Sequence, residues 1–199
     1  MSIHNLKFPL DFKFHIATIS NDFSVTDANG QAIFYVREKI FTLRDNIKVY
    51  RDSKKSELLY ELTSNRLIDF QQTFTIKNQN GNVVGKARRK TLKSFWTATF
   101  HIYDANDNHL FTIKERSGLT RMMDGMFGEI PVLGFFSGYL FNPKYVLTDL
   151  NGTELMEISK EPSFFGRKFK LENYKAQPEH LELFILSYMM LLISDRDRG

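Results

Sequence analysis

One pattern recurs five times along this chain: a short alternating run of apolar and polar residues, a polar turn, and a second alternating run. The copies fall at residues 23–36, 47–62, 74–84, 100–113 and 145–158. Asn-Gly pairs at 29–30, 80–81 and 151–152 supply the positive φ that tight hairpins need. Asp27, Asp52, Asp104 and Asp149 suit turn initiation, because their carboxylates can accept from backbone N–H groups two residues on. Period-2 alternation turns one face of each strand toward a core. Further strand-like runs at 39–43, 66–70, 91–97 and 165–171 bring the expected total to about a dozen strands. A sheet of that size curls on itself and so removes its edges. Composition agrees: 19 Phe and 8 Tyr stand against 5 Pro, a bias toward strands.

The end of the chain has a different period. Gln177-Pro178 precedes a run that reads as a helix over 178–194, with Pro178 at a first-turn position and Glu179 and Glu182 near the positive end of the dipole. Eleven of the thirteen residues from Leu181 to Ile193 are apolar or Tyr, so this helix must be buried on every side. Residues 183–193 span only about 16 Å of helix, against about 30 Å of bilayer hydrocarbon. The inside of the barrel is the remaining place. A barrel of about a dozen strands has room for one helix, and Gly85 and Ala87 would let it approach the wall. Each apolar side chain it buries contributes about 1.5–3 kcal/mol. The expected architecture is one domain, 1–199: a closed antiparallel β-barrel of about twelve strands around a central hydrophobic helix.

A string of hairpins closed by an all-apolar helix resembles the tubby C-terminal-like superfamily, which includes tubby proteins, phospholipid scramblases and LURP-one-related proteins. The nearest likeness is to the LURP-one-related proteins. It is carried by Phe23-Ser-Val25-Thr-Asp27-Ala-Asn-Gly30, by Phe41-Thr-Leu43-Arg44-Asp45 and by the helix ending Leu191-Leu-Ile193. The resemblance implies a twelve-stranded barrel around a hydrophobic helix, and roles at membranes such as phosphoinositide binding. Scramblase features are largely missing. The chain has no cysteine for lipid attachment, and Arg167-Lys168-Phe169-Lys170 is basic where a scramblase-like calcium site would need acids.

The strongest functional lead is the run from Gly85 to Lys93, with Lys86, Arg88, Arg89, Lys90 and Lys93 and no acid. If Gly85 and Ala87 face inward, Lys86 and Arg88 project outward together. Such cations suit phosphates, and anionic bilayers attract polybasic segments by about 1 kcal/mol per charge. Arg116, Arg121, Arg167, Lys168 and Lys170 are candidates to join them. The bland alternative is a solvated strand face. Nucleic acid is not expected as a partner, because no helix-turn-helix, zinc-finger or RRM pattern accompanies the net charge of +4.

Other features carry less. The glycine-rich segment 125–141 holds Gly134-x-x-x-Gly138, but Glu129 and Pro131 argue against a span; it is expected to cover a barrel end or to dip into a bilayer. Asp104-Ala-Asn106-Asp107-Asn108 has an EF-hand flavour, yet His109 stands where the loop requires Gly, so it reads as a hairpin turn. The histidines at 4, 15, 101, 109 and 180 show no ligand spacing. No nucleophile elbow, P-loop or dinucleotide fingerprint is present. No catalytic residue, cofactor or metal site is therefore expected. The amino-terminal stretch lacks an apolar h-region, so no signal peptide and no transmembrane span are expected. The reading is a non-catalytic, cytoplasmic module, peripheral to membrane where its basic run meets anionic lipid. Its alternatives are a protein-interaction scaffold and an enzyme with a dispersed site.

Overall fold

A computed structural model describes residues 5–15, 22–38, 46–65, 72–90, 99–116, 144–162 and 167–196. The five sequence hairpins are five real hairpins: β2 (Phe23–Thr26) with β3 (Ala32–Glu38), β4 (Asn46–Tyr50) with β5 (Leu58–Asn65), β6 (Thr73–Asn78) with β7 (Val83–Lys90), β8 (Thr99–Tyr103) with β9 (His109–Glu115), and β10 (Lys144–Asp149) with β11 (Glu154–Glu161). Two more strands, β1 (Leu10–Phe14) and β12 (Lys168–Asn173), pair with each other and close the barrel. Every strand is antiparallel to both neighbours, in an up-and-down order. The strand runs expected at 39–43, 66–70 and 91–97 lie outside the described residues. The one expected at 165–171 is β12, displaced toward the carboxyl side.

The turns explain why the hairpins repeat. In four of them an Asp or Asn side chain accepts from the backbone N–H groups two and four residues on: Asp27 from Asn29 and Gln31, Asn78 from Asn80 and Asn82, Asp104 from Asn106 and Asn108, Asp149 from Asn151 and Thr153, at 2.8–3.1 Å. Asp52 does the same for Ser56 N at 3.2 Å. In all five turns the residue three positions on has a positive φ: Gly30, Lys55, Gly81, Asp107 and Gly152. Each hairpin carries a register shift one or two residues before this turn. A turn that contains a left-handed residue forces the extra residue of a bulge, and the bulge tightens the strand twist that barrel closure needs.

Because all five turns join consecutive antiparallel strands, they share one rim of the barrel. The strand ends that flank segments 91–98 and 117–143 share the other. Helix α1 (Leu181–Arg196) enters from the hairpin rim after a 3₁₀ turn at Pro178–His180. It runs through the lumen, with Leu183 to Ile193 all buried. The small residues on β7 serve the helix as the sequence suggests. A Cβ placed on Gly85 would lie 2.7 Å from both Leu183 Cδ1 and the Tyr103 carbonyl oxygen. Two hydroxyls carried by the helix find partners inside. Ser187 Oγ donates to Leu183 O at 2.7 Å, and the Tyr188 hydroxyl lies 3.1 Å from Met156 O and 3.3 Å from Tyr145 O. Burial pushes the Tyr188 phenol well above its usual pKa, so it remains a donor. No described helix is long and apolar enough to cross a membrane.

Candidate functional site

With the lumen occupied by α1, polar chemistry is displaced to the outer wall. Strand β7 shows how. Gly85 and Ala87 are buried on the inner face, so Lys86 and Arg88, which alternate with them, point outward. The next residue, Arg89, returns to the inner face, opposite buried Phe100 in the register. Its guanidinium reaches Ser194 Oγ, 3.4 Å away in the last turn of α1. A cation there complements the negative end of the helix dipole. Lys90 ends β7 opposite Thr99, and Lys93 lies outside the described residues. The basic run is therefore divided: Lys86 and Arg88 on the outer wall, Arg89 at the helix terminus.

Two cross-strand rows build the wall around the outward pair. One row runs Thr73, Arg88, His101, Thr112, Thr148 across β6 to β10; the adjacent row holds Thr75, Lys86 and Tyr103, with His109 beyond. The Arg88 guanidinium carbon sits 4.5 Å from the Tyr103 ring centroid, a cation–π contact that orients its fork. Asp107, from the β8–β9 turn, leans over both cations, 2.5 Å from Lys86 Nζ and 3.7 Å from an Arg88 nitrogen. It occupies the left-handed position that is glycine in three of the other turns, with φ of 65°. An Asp tolerates that conformation less well than Gly, and here its carboxylate supplies the counter-charge. Asp107 is 52% exposed in its side chain, and such exposed ion pairs are worth only about 0–1 kcal/mol.

Next to this pair lies a cluster that the sequence spacing did not reveal. His101 Nδ1 and His109 Nε2 are 3.0 Å apart. Thr112 Oγ1 is 3.1 Å from His109 Nε2 and 3.4 Å from His101 Nδ1, and the Phe111 carbonyl is 2.9 Å from His109 Nε2. The bulge between Ile102 and Tyr103 brings the two rings together, and a spacing of eight residues does not announce it. The EF-hand-like turn is a turn: Asp104 Oδ1 accepts from Asn106 and Asn108 N–H, and Oδ2 from the Asn108 amide. The Asn108 side chain, first of its causes, holds the Asp104 pKa below the ordinary value.

Arg116, Lys168 and Lys170 have other surroundings. Lys168 and Lys170 lie on β12, five places from β7 in a twelve-stranded ring and so across the barrel. Lys170 pairs there with Glu161 at 2.7 Å. Arg116 is bonded to Glu154 and lies 3.2 Å from Glu157, which Lys144 also meets at 3.0 Å. Arg121 and segment 125–141 lie outside the described residues.

These features define a class: an up-and-down twelve-stranded barrel with a helix as its core and a basic, histidine-bearing outer wall. A family model described as LURP-one-related matches residues 61–130. This bears out the family resemblance read in the sequence, over a span that contains Lys86, Arg88, His101, Asp107 and His109. No curated protein matches the chain.

Proposed function

We propose that this barrel is a non-catalytic module that binds anionic lipid headgroups on its outer wall, through Lys86 and Arg88, with Lys90 and Lys93 next in the basic run of the sequence. The observation that carries the reading is the outward pair itself, two cations one row apart on a rigid strand. One lies over the Tyr103 ring, and both are balanced by a single exposed carboxylate. A phosphate replacing Asp107 would meet a bidentate fork and an ammonium in positions already fixed. A site of preset donors loses little side-chain entropy on binding. Arg89 serves the helix terminus in this reading and supports the wall from inside.

The test is co-sedimentation with vesicles of neutral lipid, phosphatidylserine or phosphoinositide, at low and physiological salt. Anionic vesicles alone should capture the protein, less so as salt rises. The Lys86→Glu/Arg88→Glu variant should lose capture. Asp107→Asn removes the competing carboxylate while keeping a residue that accepts the left-handed backbone, and should strengthen it. If no vesicle captures the protein, or if the Glu variant is captured as well as the parent, lipid binding is abandoned. A protein partner then becomes the reading, with the exposed Leu150 and Tyr174 as the place to look.

A further inference from the structure

We infer that His101 and His109 form a binding site for a divalent transition-metal ion of the zinc class, completed by Thr112 Oγ1 and the Phe111 carbonyl. The inference begins with proton counting. His109 Nε2 has three polar neighbours: His101 Nδ1 at 3.0 Å, Phe111 O at 2.9 Å and Thr112 Oγ1 at 3.1 Å. A neutral imidazole nitrogen carries at most one proton, and Phe111 O can only accept. One N–H cannot serve the carbonyl and the facing imidazole equally, so hydrogen bonding here must share that proton and the Thr112 hydroxyl. A cation between the two rings would instead be met by a lone pair from each of His101 Nδ1, His109 Nε2 and Thr112 Oγ1.

The distances suit one. Two donor atoms each about 2.0–2.1 Å from a common ion lie about 2.8–3.4 Å apart for angles between a right angle and tetrahedral. The triangle of His101 Nδ1, His109 Nε2 and Thr112 Oγ1 has edges of 3.0, 3.1 and 3.4 Å, all within that range. Imidazole nitrogen with oxygen donors suits zinc and its neighbours rather than calcium or magnesium.

The donors are also held in place. His101 and Thr112 face each other in the β8–β9 register, His109 follows the bulge, and Thr112 is 8% exposed. Arg88 adjoins His101 in the register, but its guanidinium lies over Tyr103 and toward Asp107. Among the described residues no group of three or more His, Cys, Asp or Glu is arranged for a metal. The site therefore rests on two imidazoles, with Thr112 Oγ1 and the Phe111 carbonyl as its oxygen donors. It does not depend on lipid binding at Lys86 and Arg88.

The experiment titrates Zn²⁺ alone into the full chain by calorimetry, and follows imidazole nitrogen resonances of the same protein by NMR. Saturable binding of about one ion is expected, with His101 Nδ1 and His109 Nε2 shifting while the rings of His15 and His180 stay in place. Loss of an outer-sphere partner alone costs about 10–100-fold in metal affinity, so His101→Ala and His109→Ala should each weaken binding at least about tenfold. The ring resonances are read on the unaltered chain, so the answer survives a variant that fails to fold. Absence of saturable binding, binding that leaves these two rings unmoved, or equal affinity in folded variants would each overturn the site.

Discussion

An aspartate in a hairpin turn has two states, and only one of them is a full acceptor. Asp52, Asp104 and Asp149 all have pKa values below the ordinary 3.8. The chief causes are the Ser56 hydroxyl for Asp52, the Asn108 side chain for Asp104 and the Thr153 backbone N–H for Asp149. A carboxylate whose folded pKa is depressed contributes stability that is complete above its unfolded value. That contribution is lost as pH falls through the folded value. The chain carries its own control, since Asn78 makes the same pair of backbone contacts with an uncharged amide. Changing the three aspartates together to Asn should therefore lower thermal stability at neutral pH. The gap from the parent should close between about pH 5 and pH 2. Melting curves across that interval decide the matter, and a gap that does not vary with pH would show that charge plays no part in these turns.

At the scale of elements, the wall and the helix were shaped for each other at one strand. Gly85 has no side chain because Leu183 and the Tyr103 carbonyl fill the space a methyl would need. Leu183 can move its tip, but the carbonyl belongs to a strand and cannot. Gly85→Ala should cost about 1–3 kcal/mol through overpacking, visible as a lower denaturant midpoint with an unchanged slope. A variant as stable as the parent would mean that β7 shifts outward freely. Much of this was legible in advance. Alternation marked all five hairpins and Asn-Gly pairs three of their turns, and the parity of Gly85 and Ala87 placed Lys86 and Arg88 outside. Other parts were hidden for identifiable reasons. The alternating Leu10-Asp11-Phe12-Lys13-Phe14 closes the barrel against β12 at the other end of the chain, a pairing that no local turn announces. Asp107 reads as a turn residue until the turn is seen leaning over β7. The His101–His109 contact depends on a bulge that residue spacing does not display.

At the scale of the molecule, a helix with no polar face replaces the interior that a barrel this wide would otherwise leave open. Sheet and helix are then one folding unit, because among the described residues neither has another apolar surface to bury itself against. The polar groups that remain for function must lie on the wall or the rims, which is where Lys86, Arg88 and the histidine pair are found. Leu186 tests this dependence most directly. It is fully buried in the middle of α1, so Leu186→Asp would place a carboxylate in the lumen with no route to water. An unpaired charge there is too costly to be absorbed by local adjustment. The expectation is loss of the cooperative melt and of native tertiary signals, not a modest fall in melting temperature. Tyr188→Phe gives the graded comparison. It removes the hydroxyl that Met156 O and Tyr145 O share, at about 1–3 kcal/mol, and should leave a folded barrel that melts earlier. If the Leu186→Asp chain instead remained soluble and melted cooperatively near the parent, the helix would not be the core of the barrel. The assignment of function to the outer wall would lose its foundation with it.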